Sequence, residues 1–163
     1  MALLNTKQTV LAAILALAVF PRIVEAQAGG QMMNPGLTLT STAWEDGGVI
    51  PERYAGAQGV SPELSWSNVP EGTVEFVLVM NDPEPVRPAG SVRGDILHWM
   101  VVKIPGDVRS LPEGAGAAES TLLPAGARQI QPYRGPGAPV PPMHHYTFTL
   151  YALNAPLDLP ENA

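Results

Sequence analysis

The chain holds three histidines, and each stands in or at the head of an apolar run. His144 and His145 open "HHYTFTLYAL", and His98 lies within "DILHWMVVKI". A carboxylate, Asp82, closes a third apolar run, "VEFVLVMND". Imidazoles beside a carboxylate and a phenol can ligate a metal, move protons or hold an anion. Strand alternation decides which of them can act together. In "HHYTFTLY", His144, Tyr146, Phe148 and Leu150 share the face that runs into the core, and His145 turns to the more polar face with Thr147 and Thr149. By the same count Asp82 shares a face with Phe76, Leu78 and Met80, and His98 with Met100 and Val102. Three strands therefore each offer a polar group beside an apolar wall. If these ends converge, Asp82 beside His98 would fix one imidazole tautomer and favour its charged form. With the Tyr146 hydroxyl and loop N–H groups, such an imidazolium makes an anion pocket.

Competing chemistries are poorly supplied. Neighbouring strand residues point to opposite faces, so His144 and His145 do not share one metal ion. That leaves His98, one of the pair, and Asp82 as ligands, and no metal is expected on that count. G-x-S-x-G does not occur, and "GPGAP" lacks the G-K-[ST] ending of a phosphate loop. Without cysteine there is no thiol catalysis, thiolate metal site, disulfide or lipid-modified cysteine.

The elements that must position these groups are strands. "VEFVLVMND" (Val74 to Asp82) and "DILHWMVVKI" (Asp95 to Ile104) are apolar on both faces and end at prolines, as central strands do. His144 to Leu153 is a third strand of this kind, and Leu37 to Ser41 and Glu63 to Ser67 are shorter ones. No sustained 3.6-residue period follows the N-terminal region, and 16 glycines and 18 prolines punctuate the chain. The fold class is mainly β: an antiparallel domain of two packed sheets. Between Pro105 and Pro142 lies a long Gly/Pro/Ala-rich stretch, of a length that is usually functional or disordered.

Residues 1–28 read as a secretory signal peptide. Lys7 precedes an apolar run from Val10 to Phe20 that is too short for a membrane span, and small residues follow at Ala26 and Ala28. The domain is then residues 29–163, exported to the periplasm or beyond after cleavage near Ala26 or Ala28. The formal net charge of −6 argues against nucleic acid as a partner, and it requires any bound anion to be held by local groups.

"NDPEPV", "LHWMVVKIP" and "YRGPGAPVPPMHHYTFTLYAL", in that order, resemble the phosphatidylethanolamine-binding protein family in its bacterial Raf-kinase-inhibitor-like branch. "DGGVIPERYAG" and "GVSPELSWSNVPEGT" fit as well. The resemblance covers roughly Leu37 to Leu159. It implies a large antiparallel sheet flanked by a smaller one, with helical pieces toward the C-terminus, and a pocket for phosphate-like anions or phospholipid headgroups. The pocket so implied holds Asp82 and Glu84 from the "DPxxP"-like motif, His98 from "HW", Pro136 and Gly137 from the "GPxxP" loop, and His144 and Tyr146 from "HxY". Glu84 stands where the family usually has Asp, and the proline comes one place early. The family also usually runs a few dozen residues further, so a missing C-terminal segment is expected. The function expected is a non-enzymatic binding module without a cofactor, able to regulate a protein partner such as a kinase or protease. The alternatives are a hydrolase of small esters or phosphoesters using an Asp–His–Tyr set, and a structural β-domain with a vestigial pocket.

Overall fold

A computed structural model describes residues 36–84, 95–137 and 143–160. The signal-peptide reading and the residues from Pro85 to Gly94 lie outside them. Seven strands follow in order: β1 (Thr38–Thr40), β2 (Leu64–Ser67), β3 (Glu75–Asp82), β4 (Ile96–Pro105), β5 (Ser110–Leu111), β6 (Arg128–Gln131) and β7 (Thr147–Leu153), with one 3₁₀ turn at Glu52–Tyr54 between β1 and β2. They form two antiparallel sheets, ordered β1-β2-β5 and β6-β4-β3-β7. The helical pieces expected toward the C-terminus do not occur among the described residues.

The doubly apolar strands β3 and β4 are the two central strands of the larger sheet, as their composition requires. β7 is also apolar, but it has a strand partner on one side only among the described residues. The inner faces of both sheets meet in one core. Leu64, Trp66 and Leu111 come from the smaller sheet, and Phe76, Leu78, Met80, Trp99, Val101 and Ile104 from the larger one. Trp66 packs edge-on against Phe76 with centroids 5.4 Å apart, and its indole N–H donates to the Val108 carbonyl. Fully buried Trp99 donates to Gln129 Oε1. Both indoles thus bury their rings without stranding a donor. The long Gly/Pro-rich stretch is neither loop nor disorder throughout: it supplies β5 to one sheet and β6 to the other.

Two irregularities in the β3–β4 ladder set the faces of β4. Phe76 pairs with Ile104 but Leu78 with Val101, and Met80 pairs with Trp99 but Asn81 with Leu97. Each shift inserts one extra residue into β4, which is the definition of a bulge. At the first, Lys103 takes a left-handed φ of 56°. At the second the extra residue is His98. Simple alternation placed His98 with Met100 and Val102, and the structure corrects that. The bulge interrupts the period, so His98 turns to the same side as Trp99 and Asp82.

Candidate functional site

The site is built where β3 ends and β7 begins. Asp82, the last residue of β3, is 3% exposed. Its Oδ2 lies 2.7 Å from His144 Nδ1, and its Oδ1 accepts the backbone N–H of Glu84 at 2.8 Å. Both carboxylate oxygens are therefore committed. The carboxylate can only accept, so His144 carries its proton on Nδ1 and presents Nε2 away from Asp82. That Nε2 is buried and has no hydrogen-bond partner among the described residues.

His98 is 5% exposed and is held differently. Its Nδ1 lies 2.7 Å from the Arg134 carbonyl, and its own carbonyl accepts the Arg134 N–H at 2.8 Å. The ring meets Tyr146 edge-on, with centroids 5.1 Å apart and planes at 90°. Sequence reasoning expected Asp82 to orient His98. Instead Asp82 holds His144, because β7 lies next to β3 and His144 follows the strand's line past Asp82, while the bulge hands His98 to the 133–136 segment.

That segment is wedged in place. Tyr133 donates its hydroxyl to the Tyr54 carbonyl, and the Pro136 carbonyl accepts the Gly56 N–H. Burial holds the Tyr133 phenol well above its ordinary pKa, so it remains a donor. A Cβ on Gly135 would lie 2.3 Å from the Tyr54 carbonyl oxygen, so only glycine fits there.

An open groove of about 840 Å³ leads to the site. Pro136, His144, Tyr146 and Phe148 line one part of it, and Leu39, Thr40, Ser41 and Trp44 another. Trp44 stacks at a tilt on Tyr54 and Phe148, at 5.2 and 6.2 Å, and gives the groove an aromatic wall. The wall's backbone is pinned by Glu63, whose carboxylate accepts the N–H and hydroxyl of Thr42. Those two bonds hold Glu63 below the usual carboxylate pKa range, the backbone N–H contributing most. Ser41 donates to the Glu63 carbonyl and is not activated as a nucleophile by either histidine.

Of the residues singled out from sequence, the structure brings together Asp82, His98, His144 and Tyr146, with Pro136 on the groove wall. Gly137 is exposed and is not among the groove-lining residues. Glu84 turns away: its Oε2 accepts the backbone N–H of His145 at 2.8 Å and lies 2.7 Å from that residue's Nδ1. The His145 N–H, then its ring, hold the Glu84 carboxyl below the ordinary range. Sequence reasoning missed Trp44 and the backbone of Arg134. Trp44 carried a weak signal as an aromatic in a turn-rich segment, whereas a carbonyl that grips a histidine has none. Among the described residues no group of His, Cys, Asp or Glu could hold a metal ion.

Two antiparallel sheets share one core, and a carboxylate-held imidazole stands where an aromatic-walled groove meets the larger sheet. The sequence profile described as phosphatidylethanolamine-binding protein matches residues 40–163, and the chain belongs to that family. It is 44% identical over 100 residues to the UPF0098 protein YbcL of Escherichia coli K12, a match covering 57% of this chain and 52% of that one. It is 35% identical to YbhB of the same organism, covering 78% of this chain and 85% of that one. A putative lipoprotein of Mycobacterium tuberculosis H37Rv, LppC, is 38% identical, covering 78% of this chain and 60% of the relative. The chain thus matches about half the length of YbcL and somewhat more of LppC. The crystal structure of E. coli YbcL superposes with a TM-score of 0.67 at 33% identity over 78% of this chain and 83% of that one. A Chlamydia trachomatis homologue, CT736, superposes at 0.62 with 32% identity, over 78% and 82%. These structures bear out the mainly β, two-sheet fold.

Proposed function

We propose that the domain is a non-enzymatic binding module for a small anionic group, either free phosphate or a phosphorylated headgroup. One observation carries this reading: His144, which lines the groove, commits Nδ1 to Asp82 and leaves Nε2 buried and without a partner among the described residues. A buried polar nitrogen without a hydrogen bond is costly, and a ligand oxygen would satisfy it. In a chain of net charge −6 an anion needs such a local donor. Tyr146 and Pro136 line the groove beside His144, His98 backs the Tyr146 ring, and the aromatic wall takes the less polar part of the ligand. Family membership supports a pocket of this kind, and a regulatory role toward a protein partner follows from resemblance. The apolar leader and the likeness to a putative lipoprotein support export. No described helix is long and apolar enough to cross a membrane.

Calorimetric titrations with inorganic phosphate, phosphoethanolamine and anionic vesicles test this. Saturable binding is expected, and the tightest of the three ligands separates free phosphate, headgroup and lipid surface. Absence of binding to all three would sink the reading. The hydrolase alternative finds no support: the groove hydroxyls of Ser41 and Thr147 donate to Glu63 and Asn81 rather than to an imidazole.

A further inference from the structure

We propose that Glu84 is a positioning residue for the His144 pocket, acting through the backbone of His145; this rests on the anion-binding reading of His144. The ladder between β3 and β7 stops at the pair Asn81–Thr147. Residues 143–146 belong to no strand, yet they carry His144 and Tyr146. Side chains continue the pairing where the backbone stops. Thr147 Oγ1 donates to Asn81 Oδ1 at 2.7 Å, Asp82 Oδ2 holds His144 Nδ1, and Glu84 Oε2 holds His145 through both its N–H and its ring. The Glu84 N–H closes the circuit on Asp82 Oδ1. Two carboxylates leaving β3 thus grip two consecutive histidines entering β7.

The peptide unit explains how the outer grip reaches the inner site. The His145 N–H and the His144 carbonyl belong to one rigid plane. Fixing that N–H fixes the rotation of the plane next to the His144 Cα, and with it the line along which the imidazole meets Asp82. Most of the His145 ring and about half of the Glu84 side chain face solvent, so their mutual charge is screened. The backbone bond is what constrains the segment. The chemistry therefore asks for an acceptor of the right length at position 84, not for a charge. Aspartate, one methylene shorter, would not span the same gap.

The test uses the full chain, labelled with ¹⁵N, as wild type, Glu84→Ala, Glu84→Gln, Glu84→Asp and His145→Ala. Phosphoethanolamine is the probe. Glu84→Ala and Glu84→Asp should speed His145 amide exchange by roughly tenfold, move the His144 ring resonances, and weaken the probe by several-fold. Glu84→Gln should retain wild-type behaviour, because its carboxamide oxygen accepts the same N–H. His145→Ala should retain it too, because the N–H remains. Unmoved His144 resonances and unchanged affinity in Glu84→Ala would overturn the proposal. So would a Gln variant as impaired as the Ala variant, since charge would then be the operative property. If the wild type binds no phosphoethanolamine, the amide exchange and ring resonances still decide whether Glu84 positions His144, and the anion reading is decided separately by the three-ligand titration.

Discussion

Two carboxylate–imidazole pairs stand next to each other at one end of the larger sheet. Asp82–His144 and Glu84–His145 have the same 2.7 Å separation. Their side-chain exposures are 6% for His144 and 4% for Asp82, against 83% for His145 and 48% for Glu84. Distance therefore does not distinguish them, and environment does. A buried pair is weakly favourable as a unit but costly to break, because the survivor stays desolvated without a partner. An exposed pair competes with water and salt, and its charge contributes little. The proposed anion pocket consequently rests on the inner pair, while the outer pair is proposed to act through the His145 N–H to Glu84 hydrogen bond rather than through its charge.

The comparison can be broken most severely at Asp82. Asp82→Ala leaves the buried Nδ1–H of His144 without an acceptor and should cost about 1–3 kcal/mol in a urea titration, abolishing phosphate binding as well. A loss near that expected for a surface substitution would place Asp82 outside the buried network. His144→Gln should keep most of the stability but lower phosphoethanolamine affinity by roughly tenfold or more, the share of a charge-assisted hydrogen bond. Calorimetry at one pH reads this directly. Raising salt to about 1 M shortens screening to roughly 3 Å and should perturb the His145 ring resonances while leaving those of His144 in place. Equal responses from the two rings would erase the distinction. The smallest effect is in the acid limb. Glu84 and Glu63 are both held below the ordinary carboxylate range, so what each adds to stability is complete above that range. It fades as pH falls through the depressed folded value. In Glu84→Gln and Glu63→Gln the acid limb of a thermal-midpoint profile should be slightly flatter than in wild type.

Much of this arrangement was legible in the sequence where composition and alternation act without interruption. The run Glu75 to Asp82 is regular along its own chain, so Asp82 was rightly placed on the face of Phe76, Leu78 and Met80. The choice of His144 and Tyr146 over His145 follows from the same count; in the structure all three line the groove, and His145 is the exposed one whose N–H and ring bear on Glu84. β4 was misread at His98 because a bulge leaves no mark in an apolar run. The partner of Asp82 was misassigned because strand order, not periodicity, brings β7 beside β3. The strands at Ser110–Leu111 and Arg128–Gln131 hid in a Gly/Pro-rich stretch, where pairing with an existing sheet edge outweighs weak intrinsic preference. Glu84 came by resemblance as a ligand group. Its partner in the structure is a backbone N–H, a kind of contact that residue types do not announce.

Asp82 is proposed to hold His144 so that Nε2 can take an anion. Long-range ¹H–¹⁵N spectra of the histidine rings, recorded while phosphoethanolamine is added to wild type and to Asp82→Asn, test it most directly. A saturable change is expected at His144 Nε2 in the wild type, a smaller one at His98, and loss of both in Asp82→Asn. An unchanged His144 ring at saturating ligand, or the same titration in the variant, would contradict it.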